Sequence, residues 1–141
     1  MRVIATVVLV TYEERALVLR RRPDDRSFAH AWCLPGGGVD PGENTDRAAL
    51  RETFEESGLA VQLKHNLGLV ETTLASRGYV FEIHRFVATS QSLDVRLSDE
   101  HVAFEWLSRS QAAGAHGALA GGLAGEVTRE LLERFSAGEW P

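Results

Sequence analysis

The stretch Gly37-Gly-Val-Asp-Pro-Gly-Glu-Asn-Thr-Asp-Arg-Ala-Ala-Leu-Arg-Glu-Thr-Phe-Glu-Glu-Ser-Gly-Leu59 packs six acidic side chains into 23 residues. Its spacing predicts a helix that starts at Asn44 or Thr45, either of which can cap it, and stops at Gly58. Glu52, Glu55 and Glu56 then fall at i, i+3 and i+4, within an arc of about 100°. Leu50 and Phe54 fall on the opposite side, where they are expected to face a core. Three carboxylates on one helix face repel one another, and a divalent cation offsets that cost. Carboxylate oxygens are the ligands that magnesium and manganese prefer.

The flanks read outward from this helix. Gly36-Gly-Gly38 is expected to be a loop and Pro41-Gly42 a turn. Val3–Val10 is a β-branched run that reads as a buried strand, and Ala16–Arg22 returns after the polar turn Thr11–Arg15, so a hairpin is expected. Downstream, Leu59–Leu74 holds strand-like stretches broken at Asn66 and Gly68. The turn Ala75-Ser-Arg-Gly78 then feeds a strand over Tyr79–Val87, and Val102–Leu107 is a last short strand. Gln111–Gly125 is mostly Ala and Gly, which fits a short helix plus loop or a mobile segment. Val127, Leu131, Leu132 and Phe135 have the spacing of a closing amphipathic helix. Strands interleaved with two helices indicate a mixed α/β architecture in one domain over residues 1–141.

Composition narrows the function. The chain is 44% hydrophobic and 25% charged, ordinary for a globular protein. A net charge of −5 argues against a stable nucleic-acid complex, which needs a basic footprint. The longest apolar run is too short to span a bilayer, so no membrane association is expected. Met1-Arg2-Val3-Ile4 lacks the apolar core of a secretory signal. A single cysteine, Cys33, excludes an intramolecular disulfide, so a cytoplasmic location is expected. A homodimer is compatible with the sequence, which does not fix the oligomeric state.

The acidic segment resembles the signature of the Nudix (MutT-like) hydrolases: Gly, five residues, Glu, seven residues, then Arg-Glu-U-x-Glu-Glu-x-Gly-U, with U a bulky aliphatic. Gly37, Glu43, Arg51, Glu52, Glu55, Glu56 and Gly58 match every fixed position. A chance match is on the order of 10⁻⁸ per window. Thr53 departs from the pattern at the first U. The resemblance implies an α/β/α sandwich with a mixed sheet and a loop-helix-loop catalytic motif. It also implies magnesium, with manganese as a substitute, held by the Gly36 carbonyl, Glu52, Glu55 and Glu56. Glu43 and Arg51 would brace the loop against the helix, and Ala48 and Ala49 would leave room for phosphates. Gly37 and Gly38 would let backbone approach the substrate.

A second, shorter resemblance covers Ser98-Asp-Glu-His-Val-Ala-Phe-Glu-Trp-Leu107. It is similar to the Glu-His-x-x-x-x-x-Trp segment of several nucleotide-cleaving members, including diadenosine tetraphosphate hydrolases, where the glutamate overhangs the metals. Glu100 thereby joins the implied metal ligands. Those hydrolases usually carry Pro-Lys-Gly-His where this chain has Pro35-Gly-Gly-Gly38, which counts against dinucleoside polyphosphates. Glu52, Glu55 and Glu100 all stay open as the general base.

The implied reaction is hydrolysis of a phosphoanhydride in a nucleoside diphosphate linked to another group. The alternatives are a nucleoside triphosphate pyrophosphatase that sanitises the nucleotide pool, a dinucleoside polyphosphate hydrolase, and a non-catalytic nucleotide sensor. Arg20, Arg21 and Arg22 cluster on one expected strand, and alternation sends Arg20 and Arg22 to one face as candidate phosphate contacts. His101 reads as a structural side chain, with a metal neighbour or a proton carrier as the alternatives. Cys33 reads as a small buried side chain with no base near it in the sequence. Trp32 and Trp106 read as packing residues.

Overall fold

A computed structural model describes residues 1–74 and 78–141. Eleven elements follow in chain order: β1 (Arg2–Tyr12), β2 (Arg15–Arg21), β3 (Trp32–Cys33), β4 (Gly36–Gly38), α1 (Thr45–Ser57), β5 (Gln62–Leu74), β6 (Tyr79–Thr89), β7 (His101–Ser108), α2 (Arg109–Ala112), α3 (Ala115–Ala118) and α4 (Gly125–Ser136). Most of the turn expected over 75–78 lies outside the described residues.

The strands form one mixed sheet in the order β3-β2-β1-β6-β5, with β4 also on β1 and β7 also on β2. Among the described strands, β1 and β6 are the pair that runs parallel. The period of two along each strand sends alternate side chains to opposite faces. Leu9, Val18, Trp32 and Val87 join Val127, Leu131, Leu132 and Phe135 of α4 on one face. Val8, Val10, Leu17, Leu19, Cys33 and Phe86 meet Ala49 of α1 on the other. The result is an α/β/α sandwich. Leu131, Leu132 and Phe135 are fully buried, and each such side chain contributes about 1.5–3 kcal/mol.

The site originates in a fork. β1 and β2 pair only beside their hairpin, at Thr11↔Ala16 and Tyr12↔Arg15, where Glu13 and Glu14 turn with φ of 43° and 66°. The chain from Trp32 to Gly38 fills the gap beyond. Cys33 pairs with Leu19 of β2, and Gly36, Gly37 and Gly38 pair with Val7, Thr6 and Ala5 of β1. The three glycines, expected as a loop, are thus a strand. The absence of a side chain is what permits it, because a Cβ on Gly36 would lie 2.1 Å from the Thr6 carbonyl oxygen.

Asn44 caps α1, its side chain accepting from the Arg47 amide at 2.8 Å, and Gly58 ends the helix in the left-handed region at φ 73°. One expectation fails here. Leu50 and Phe54 are 38% and 59% exposed. The helix instead buries Ala48, Ala49, Thr53, Glu56 and Ser57. Two alanines let the helix axis approach the sheet closely, and that approach draws the edge bearing Glu56 inward.

β5 is continuous rather than broken. Register shifts near Leu63 and Asn66, with Gly68 at φ 80°, absorb the irregularities that the sequence shows there. The Ala/Gly-rich segment forms α2 and α3 and is docked on Trp32. The Trp32 indole donates to the Ala120 carbonyl at 3.2 Å, and its backbone bonds Gly122 and Ala124. Among the described residues, no helix is long and apolar enough to cross a membrane.

Candidate metal and phosphate site

A cleft of about 500 Å³ opens where β4, the end of β2, α1 and the start of β7 converge. It is lined by Gly36, Gly37, Gly38, Glu52, Glu56, Glu100 and His101, and also by Arg21, Arg22, Asp24 and Asp25. Glu56 is buried, 6% exposed, and its carboxylate accepts the Gly36 amide at 2.9 Å. Burial, with Glu52 and Glu100 adding repulsion, pushes its pKa up from 4.5 to about 8. One ligand atom each from Glu56, Glu100 and His101 lies within 4.8 Å of the others.

Glu52 projects under Gly37, and a Cβ at that glycine would lie 2.5 Å from the Glu52 carboxyl carbon. Partial burial raises the Glu52 pKa, against the pull of Arg51. Glu55 stands apart: its side chain is 55% exposed, it pairs with Arg51 at 3.2 Å, and it is absent from the cleft lining.

Arg51 ties the motif together. Its Nε and Nη2 grip both oxygens of Glu43 at 2.8 and 2.9 Å, Nη2 also reaches the Gly38 carbonyl, and Nη1 reaches Glu52 at 3.0 Å. This fork joins the loop before α1, the glycine strand and the carboxylate face in one network. Hydrogen bonds from Arg51, and then from the Asp40 amide, hold Glu43 down at about 2.

The arginines distribute differently from the expectation. Arg20 turns away from the cleft, donating to the His30 carbonyl at 3.0 Å and resting over the Trp32 ring. Arg22 lines the cleft, as does Arg21, which strict alternation had sent to the other face. β2 ends at Arg21, so alternation no longer governs Arg22. Arg21 pairs with Asp25 at 2.9 Å, and Arg22 donates to the Asp99 carbonyl at 3.0 Å, tethering the segment before Glu100. Burial of Asp25 is only partial, and the Phe28 amide, Arg21 and the Ser27 amide bond it and hold it at about 2.

His101 and Cys33 meet across 68 positions of sequence, with Nε2 3.5 Å from Sγ. Burial lowers the His101 pKa, and Arg21 lowers it further. Burial pushes the Cys33 thiol up to about 12 although Arg21 opposes it, so Cys33 is a neutral thiol. Only the paired register of β2, β3 and β7 brings these side chains together, and nothing local in the sequence marks it.

The residues present fit a divalent cation. Glu56 is a buried carboxylate that accepts the Gly36 amide and lies against the carboxyl groups of Glu100 and Glu52, with no cationic side chain bonded to it among the described residues. Such a group stays neutral or acquires a countercharge. The arrangement, a helix-borne carboxylate set under a glycine strand in an α/β/α sandwich, is that of the MutT-like proteins.

This chain belongs to the Nudix family, whose NUDIX domain model matches residues 1–131. It is similar to the solved MutT protein of Methanosarcina mazei Go1, with a TM-score of 0.78 and 27% identity over 99% of this chain and 96% of that one. Among curated proteins it is 36% identical over 90 residues to the asymmetrical bis(5'-nucleosyl)-tetraphosphatase of Mus musculus, covering 59% of each chain. It is also 34% identical over 96 residues to the oxidized purine nucleoside triphosphate hydrolase of Danio rerio, covering 67% of this chain and 60% of that one. The chain therefore spans about 60% of the length of these two relatives.

Proposed function

We propose that this protein is a divalent-cation-dependent hydrolase that cuts a phosphoanhydride bond in a nucleoside diphosphate linked to a further group. The observation that carries this reading is that Glu52, Glu56 and Glu100 line one cleft together with Arg21 and Arg22. Carboxylates alone would repel a polyphosphate and arginines alone would only bind one. Together they suit a phosphate chain that arrives with a metal ion.

Glu56, Glu100 and Glu52 would hold the cation, with the Gly36 carbonyl and Glu55 as further donors. Magnesium, or manganese in its place, would neutralise phosphate charge and lower the pKa of the attacking water. Glu52 is the strongest candidate to accept that water's proton, because Arg51 holds it in place and partial burial raises its pKa. Glu55 and Glu100 are the other candidates. Arg22 and Arg21 would meet the phosphates, and the bare backbone of Gly37 and Gly38 leaves room for them.

A second reading, hydrolysis of dinucleoside polyphosphates, is favoured by Glu100, His101 and Trp106 together with the likeness to the mouse tetraphosphatase. The glycines at 36–38 weigh against it. A product assay on a nucleotide panel with magnesium separates the readings. A triphosphate pyrophosphatase releases pyrophosphate, and a dinucleoside polyphosphate hydrolase releases two nucleotides. A hydrolase of other linked nucleoside diphosphates leaves a nucleoside monophosphate and the phosphorylated second group. No product from any substrate overturns the proposal.

A further inference from the structure

His101 departs from the geometry that its strand would give it. In β7 the pairs Leu17↔Trp106, Leu19↔Phe104 and Arg20↔Ala103 run in strict register with β2, and then Arg21 pairs with His101, so that Val102 is skipped. Without that bulge, His101 would share a face with Ala103, on the α4 side of the sheet. The extra residue turns it through to the α1 side, against Cys33 and into the cleft that holds Glu56 and Glu100. Val102, 53% exposed, takes the outward position.

The residue that arrives there is 6% exposed, and its Nδ1 is buried with no hydrogen-bond partner among the described residues. An unpaired buried nitrogen is destabilising, and a bound ligand relieves it. Nε2 has Cys33 Sγ beside it, which fixes the ring plane, and outer contacts of this kind commonly orient metal-binding histidines. Ligand atoms of His101, Glu56 and Glu100 lie within 4.8 Å of one another. Octahedral bonds of about 2.1 Å put opposite ligands about 4.2 Å apart, so small side-chain adjustments suffice for a common ion.

We propose that His101 gives the cation a nitrogen ligand, beside Glu56 and Glu100, and that the β7 bulge exists to deliver it. This rests on the reading that the carboxylates hold a divalent cation. Imidazole nitrogen favours transition-metal ions, whereas magnesium keeps oxygen ligands and its waters. The site should therefore prefer manganese over magnesium, and His101 should set that preference.

The test loads the protein with Mn²⁺ alone and records pulsed electron paramagnetic resonance. The expected result is a ¹⁴N coupling of a directly bound histidine, converted to a ¹⁵N pattern by ¹⁵N-histidine labelling and abolished in His101→Gln. Titration should show His101→Gln weakening Mn²⁺ binding by about tenfold or more, a scale that outer partners of metal ligands already command, with Mg²⁺ affected less. His101 is the one histidine lining the cleft among the described residues. Bound Mn²⁺ without nitrogen coupling, or coupling that survives in His101→Gln, overturns this inference and leaves the carboxylate site standing. Failure of Mn²⁺ to bind overturns both. The wild-type spectrum decides the matter even if the variant does not fold.

Discussion

Gly37 and Glu52 share one volume: a Cβ on the glycine would fall 2.5 Å from the glutamate's carboxyl carbon. The glycine triplet therefore does three separate jobs. Gly37→Ala should displace the Glu52 carboxylate, which is the end of a flexible side chain, and lower turnover by about 100-fold while the fold persists. Gly36→Ala meets the backbone of Thr6 instead and should destabilise the whole protein. Gly38→Ala meets nothing within 4 Å and should keep its thermal stability. Melting curves with turnover measured on all three variants check this ordering, and equal behaviour would contradict it.

The buried Glu56 sets an alkaline limb on stability. Its folded pKa, about 8, lies above its ordinary 4.5, so between these values the folded protein binds the extra proton. Stability of the metal-free protein should be greatest toward the lower end of that window and fall as pH rises through about 8. Millimolar magnesium should flatten the fall by supplying a countercharge. Glu56→Gln should remove both the pH dependence and the magnesium effect. Asp25 and Glu43, both held near 2, act oppositely: their stabilisation is lost as pH falls below their ordinary values of 3.8 and 4.5 toward 2. Melting temperature against pH, with and without magnesium, reads all three.

Thr53 is fully buried and its hydroxyl has no hydrogen-bond partner among the described residues. It stands where the signature has a bulky aliphatic residue. Thr53→Val should stabilise the protein by about 1 kcal/mol, raising Tm by roughly 3 °C, with turnover unchanged. A lower Tm would show that the hydroxyl has a role that its surroundings do not reveal.

Arg51 makes bidentate contact with Glu43 while also reaching Gly38 and Glu52. A lysine keeps the charge and loses the fork. Arg51→Lys should lower turnover by about 10- to 100-fold through misplacement of Glu52 and the glycine strand. Kinetics that match the wild type would show that the network is dispensable.

Much of this was legible in the sequence because it is local. The β-branched run of β1, the polar turn after it, the Asn44 cap, Gly58 and the period of α4 are all set by neighbours within a few residues. The convergence of Glu52 and Glu56 follows from helical spacing. The exposure of Leu50 and Phe54 was not legible, because the buried face of α1 is chosen by how closely Ala48 and Ala49 let it approach the sheet. Nor was the glycine strand, which depends on the fork between β1 and β2. The inward turn of His101 depends on a bulge opposite Arg21, 80 positions earlier in the chain. Long-range register decides such features, and no local residue pattern carries it.

Product release from a panel of nucleoside triphosphates, dinucleoside polyphosphates and other linked nucleoside diphosphates, with magnesium, with chelator and in Glu56→Gln, tests the proposed chemistry most directly. The wild type should cleave at least one class only when the cation is present, and Glu56→Gln should lose turnover by orders of magnitude while remaining folded. Cleavage that is unchanged by chelator, or full activity in Glu56→Gln, would contradict the assignment of this cleft.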